Sequence, residues 1–184
     1  MKKLSRRARV ATGGAVIAAV AAGTFGTVSA NASSASSAGA APVANVKSGD
    51  TVTSSRLSVD AAAEAAQAAL DAAEKENQKV TVAVVDRDGN TVVTLRGDGA
   101  GPQSYESAQR KAYTAVSWNA PTSELAQRLA QAPNLKDIPG TLFLAGGTPV
   151  AVKGAPVAGI GVAGAPSGDL DEKFAAAGVA ALGH

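Results

Sequence analysis

The 184-residue chain contains no cysteine. That one absence removes a disulfide framework, a thiolate metal site and a cysteine nucleophile. Histidine and methionine are nearly absent as well: His184, the last residue, is the only histidine, and Met1 is the only methionine. An interior His/Met or His/His pair and a multi-histidine metal centre are thereby excluded, as is a Ser-His-Asp triad unless the terminus supplies its imidazole. Aromatics make up 3% of the chain, and beyond Phe25 they are only Tyr105, Tyr113, Trp118, Phe143 and Phe174. With alanine-rich helices, so few large side chains build only a thin core, and thin cores with small-residue helix faces favour assembly into oligomers.

Charge is unevenly spread. Lys2, Lys3, Arg6, Arg7 and Arg9 precede an apolar run from Val10 to Val28, and no acidic residue accompanies them. This is the order of a signal peptide, with Ser5-Arg6-Arg7 as the pair that a twin-arginine translocase reads, although Arg9 stands where such signals usually place phenylalanine. A permanent anchor is the competing reading. Gly13, Gly14, Gly23 and Gly26 interrupt the run, and the small residues of Val28-Ser29-Ala30 or Ala30-Asn31-Ala32 favour cleavage, so residues 1–32 are expected to be a removable leader and the protein to be secreted. Losing five of the 17 basic residues and none of the 15 acidic ones takes the net charge from +2 to −3. The exported chain then offers no electrostatic footprint for nucleic acid. Residues 33–53 are Ala-, Ser- and Gly-rich and read as a flexible tether, leaving residues 54–184 as the folded domain.

The domain opens with Ser58 as an N-cap, Leu57 placed to staple and Asp60 in the first turn of an alanine-rich helix running to about Glu76. Two β-branched runs, Val80 to Val85 and Thr91 to Leu95, flank Asp86-Arg87-Asp88-Gly89-Asn90 and form a hairpin. Helical spacing follows from Gln103 to Trp118 and, after Pro121, from Thr122 to Gln131. Three strands are then expected, Thr141 to Ala145, Thr148 to Lys153 and Pro156 to Ala163, with turns at Gly146-Gly147 and Gly154-Ala155. Ser167-Gly168-Asp169 starts a last helix with acidic residues where its dipole favours them. Short turns between strands imply an α+β domain with a five-stranded, largely antiparallel sheet flanked by helices.

Gly159-Ile160-Gly161-Val162-Ala163-Gly164 has the spacing of a dinucleotide-binding loop, but the βα turn and the later acidic residue are missing. The glycines read instead as strand positions where another backbone approaches closely. On the helix from Gln103, the residues Ser107, Lys111, Thr114 and Trp118 share one face beside a stripe of Ala108, Ala112 and Ala115. Such a mixed face lines a pocket or is an exposed, partly snorkelling surface. Asp71 and Glu74, three apart on the first helix, can meet one hard cation such as ferric iron, or are simply solvated acids. Lys111 is the one candidate amine base in the stripe, and no catalytic constellation is visible. An ordinary hydrolytic or redox enzyme is therefore not supported.

Several blocks in order, Val84-Val85-Asp86 with Gly89, Arg96-Gly97-Asp98-Gly99-Ala100, Ser107-Ala108, Lys111-Ala112-Tyr113-Thr114-Ala115, Gly146-Gly147-Thr148-Pro149-Val150 and Gly159-Ile160-Gly161-Val162 with Asp171-Glu172, resemble the HbpS/GlcG family. The resemblance spans Val80 to Leu182. It implies a haem-binding protein, assembled as an octamer, that takes part in sensing haem or iron and oxidative stress through a membrane sensor kinase. Corrinoids are an alternative ligand, and a small-molecule enzyme or a haem-dependent peroxide-degrading protein an alternative role. It also implies that Thr114 is a haem contact. Lys111 on the same face can pair with a propionate and Trp118 can pack on a flat macrocycle. The departure is the lack of any histidine before His184.

Overall fold

A computed structural model describes residues 43–183, so the leader, residues 33–42 of the tether and His184 lie outside the described residues. One compact unit begins at Lys47 and takes in the described residues that follow it. Helix α1, Val59–Lys75, is capped by Ser58, whose side chain accepts from the amide of Ala61. Its buried residues Ala62, Ala65, Ala66, Ala69, Leu70 and Ala73 follow helical spacing, and five of these six are alanine, so the helix lies close to its neighbours. Leu57 packs on the same core.

Strands β1 (Thr81–Asp86) and β2 (Thr91–Arg96) form the expected hairpin, and Asp86 organises its turn. The Asp86 carboxylate accepts from the amides of Asp88 and Asn90 at 2.9 and 2.8 Å and from the Asn90 side chain. Helix α2, Pro102–Trp118, and the shorter α3, Thr122–Arg128, follow. Strands β3 (Gly147–Val152) and β4 (Ala155–Ala163) turn at Lys153-Gly154, both with positive φ, and α4 (Gly168–Ala180) closes the domain under a Ser167 cap.

The sheet is antiparallel throughout, but it has four strands in the order β2-β1-β4-β3, not five. The missing strand is Thr141 to Ala145. That segment crosses α2, and its polar groups are satisfied there: the Leu142 amide donates to Thr114 Oγ1 at 2.8 Å, and Arg110 donates to the Thr141 carbonyl at 2.8 Å. With these partners supplied by helix side chains, the chain has no need of a strand ladder.

The two sheet faces are packed differently. Val82, Val84, Ile160 and Val162 meet α1 and α4, with Phe174 fully buried among them. On the other face α2 lies against glycines of β4. A Cβ on Gly159 would stand 2.2 Å from the Ala112 carbonyl, and one on Gly161 2.1 Å from the Ala108 carbonyl. The glycine run of β4 is thus a seat for a helix backbone and not a phosphate loop, as its sequence context indicated. This seat fixes α2, the element that carries the candidate site.

Candidate functional site

Helix α2 holds Ser107, Lys111, Thr114 and Trp118 along one face, and that face is covered by neighbouring segments. Lys111 is 2% exposed, and its Nζ donates to Asp171 Oδ2 at 2.8 Å and to the Val162 carbonyl at 3.0 Å. Gly146 leaves the room this ammonium needs, since a Cβ there would lie 2.6 Å from Nζ. Thr114 is fully buried, and its hydroxyl donates to the Arg110 carbonyl at 2.7 Å while accepting from Leu142. Trp118 is half-buried and meets Phe143 edge to face, ring centroids 5.2 Å apart, in a cluster with Leu125. Ser107 is half-buried. The four residues share a face, as their spacing predicts, but Lys111 is engaged by β4 and α4 while Thr114 and Trp118 are engaged by the segment from Thr141 to Ala145, and they do not converge on one open pocket.

An open cavity of about 400 Å³ lies next to that face, lined by Val85, Gly89, Thr91, Gln109, Arg110, Tyr113, Pro139 and Gly140. Tyr113 forms its aromatic wall and packs with Val85, Ala112 and Val116. Gly89 and Gly140, both at positive φ, flank this ring: a Cβ on Gly89 would come within 3.0 Å of Cε2, and one on Gly140 within 3.5 Å of Cε1. The cavity is thus mostly apolar, with the polar side chains of Thr91 and Gln109 and one cationic side chain, Arg110. Thr114 reaches it indirectly, because the bond to Leu142 pins the chain that supplies Pro139 and Gly140.

A second cluster joins α4 to the rest. Burial pushes the Asp171 carboxyl above its ordinary value, against the pull of the Lys111 ammonium and of the Ala165 and Gly164 amides. Glu172 beside it accepts from the Ser123 and Gly146 amides and from the Ser123 and Thr122 hydroxyls. Helix α3 begins after Pro121 with no cap of its own, so Glu172 caps it from across the fold. The sequence placed Asp171-Glu172 in the first turn of the last helix and in a block of the family resemblance, but showed neither residue's partners.

Asp71 and Glu74 are both exposed on α1; Gln67 donates to Asp71 at 2.7 Å, and Glu74 lines a separate polar cleft with Asn77, Gln78, Lys79, Gly97 and Asp98. Among the described residues no three His, Cys, Asp or Glu side chains gather as a metal site. No described helix is long and apolar enough to cross a membrane.

A model of haem-degrading HbpS-like proteins matches residues 57–180. The chain belongs to the HbpS-like family. Among solved structures, a double glutamate-to-aspartate mutant of HbpS from Streptomyces reticuli is 74% identical to this HbpS-like chain, covers 79% of it and 99% of its own length, and superposes with a TM-score of 0.77. The complex of PduOC with haem is 27% identical over 69% of this chain and 95% of its own, with a TM-score of 0.63. The Klebsiella pneumoniae protein ORFY is 25% identical over 72% and 94%, with a TM-score of 0.67. No curated protein sequence matches this HbpS-like chain.

Proposed function

We propose that the protein binds haem outside the cell and reports haem, iron and oxidative stress to a membrane sensor kinase. The observation that carries the haem part is the family match, strengthened by 74% identity to HbpS and by a more distant relative solved with haem. The cavity beside Tyr113 suits the ligand. Haem is flat, apolar and edged by two propionates, and the cavity combines an aromatic wall, the carbon surfaces of Val85 and Pro139, and one guanidinium. Arg110 would hold a propionate, since a guanidinium pairs bidentately with carboxylates. Bound haem supplies iron redox chemistry; this chain supplies the cradle and excludes water from its apolar side.

Thr114 acts in this reading as a positioning residue. Its hydroxyl fixes Leu142 and through it the Pro139–Gly140 wall. A hemin titration followed at the Soret band tests both ideas. The native chain gives a saturable shift, Thr114→Ala weakens binding several-fold, and Thr114→Ser restores it. Absence of a saturable shift in the native chain refutes haem binding and moves attention to corrinoids.

Export by the twin-arginine leader is part of the same reading, as is assembly into an octamer. An apolar groove formed by Leu57, Val150, Val152, Val179 and Leu182 beside the β3 edge supports self-association. Ferric iron held by Asp71 and Glu74 is a further element, and their exposure leaves them accessible to an ion. The family description also favours a second reading, in which the protein degrades haem. That reading predicts loss of the Soret band and release of iron when the haem-loaded protein meets peroxide.

A further inference from the structure

We propose that the segment before α1, residues 47–56, is a docking arm: it lies in the apolar groove beside β3 of a second copy of this chain, which returns its own arm. This exchange rests on the self-association read above and names the segment that carries it out.

The groove, about 270 Å³, is formed by Leu57, Val150, Val152, Val179 and Leu182, and Val152 is 52% exposed in it. Strand β3 stands at the end of the sheet order and so presents an edge. Pro149 has no N–H to give there, and the Gly147 amide already donates to Thr122 Oγ1 at 2.8 Å, so this edge takes side chains rather than an added strand. Every one of residues 47–56 is exposed, and the one bulky apolar side chain among them, Val52, is 98% exposed. The arm is nevertheless shaped: the Asp50 amide donates to the Lys47 carbonyl at 2.9 Å, and the Thr51 hydroxyl to the Ser48 carbonyl at 2.8 Å. A shaped segment that holds an apolar side chain in water and an open apolar groove on the same molecule are complementary surfaces.

Where the arm joins the fold decides its partner. Leu57, the next residue, is itself a wall of the groove, while Arg56 is held on the first hairpin turn by Asp88 and, at 4.0 Å, by Asp86. The arm thus starts at the rim of the groove yet is tied to the turn, and its own groove does not receive Val52. Val52 stands five positions before Leu57, a reach of about 17 Å for extended chain. Two copies set groove to groove about a two-fold axis bring each arm root beside the other's groove within that reach, and the exchange is then reciprocal, as an isologous contact requires. Val43 and Val46 lie further along the same segment of sequence and lengthen the apolar contact.

The chain has no cysteine, so introduced thiols are unique. In the double variant Val52→Cys with Val152→Cys, treated with oxidised glutathione, a disulfide joins two copies and a covalent dimer runs on a denaturing gel; neither single variant forms it. Val52→Asp shifts the sedimentation of the protein to smaller species at the same micromolar concentration and leaves its circular dichroism unchanged, because the arm lies outside the core, and Val52→Ile sediments as the native chain does. A disulfide closed within one chain, a dimer formed equally by Val52→Cys alone, or an oligomer that neither cross-links nor responds to Val52→Asp overturns the arm exchange and leaves self-association standing. A native chain that sediments as a monomer overturns both.

Discussion

Asp86 shows how much one carboxylate can organise. Burial alone would raise its carboxyl, but the Asn90 amide and side chain, the Asp88 amide and Arg56 outweigh it and hold the group below its ordinary value. A folded value lower than the unfolded one gives stability that is present above the unfolded pKa and lost as pH falls through the folded value. Asp86→Asn is therefore expected to cost about 1–3 kcal/mol at neutral pH and to flatten the fall in stability as pH drops through and below the ordinary carboxylate range, measured by urea unfolding. The Lys111–Asp171 pair behaves differently. It sits out of water, so removing one partner strands a charge: Lys111→Met should cost about 3–5 kcal/mol, and Lys111→Met with Asp171→Leu should recover most of it. Equal losses in the single and double variants would show that the pair is not the cause. The hairpin turn at Asp86 was legible because its signals are local. The partner of Lys111 was not, because Asp171 lies 60 positions away.

Among elements, helices were read best from sequence because capping residues and 3.6-residue periodicity are local properties. Ser58 and Ser167 cap where expected, and α2 begins one residue before Gln103 and ends at Trp118. The segment from Thr141 to Ala145 was misread as a strand because its hydrophobic composition suits one. What decides its state is a competition for backbone groups won by Thr114 and Arg110, and no sequence window contains both sides of it. Helix α3 is a similar case, since its cap comes from Glu172. Glu172→Ala should leave the rest of the fold intact, cost about 1–3 kcal/mol and speed amide exchange selectively in Thr122–Arg128. Unchanged exchange there would mean that α3 holds itself.

For the whole molecule, sequence patterns gave the α+β class and the order of α1, the first hairpin, α2, α3 and the second hairpin. The count of strands and the cavity needed the assembled fold. The cavity draws on β1, the first hairpin turn, β2, α2 and the loop before Thr141, so its lining is scattered over more than fifty positions. The block from Lys111 to Ala115 pointed near it, through a threonine that turns out to lie behind the wall, and Val85 and Gly89 of another block of the family resemblance line it. Hydrogen–deuterium exchange of the protein, free and loaded with hemin, tests most directly the claim that haem is held in this cavity. The account predicts slowed exchange in the Asp86–Thr91 turn, in α2 around Gln109 to Tyr113 and in the Pro139–Leu142 segment. Saturable hemin binding with protection confined to other elements, or no binding, would contradict it.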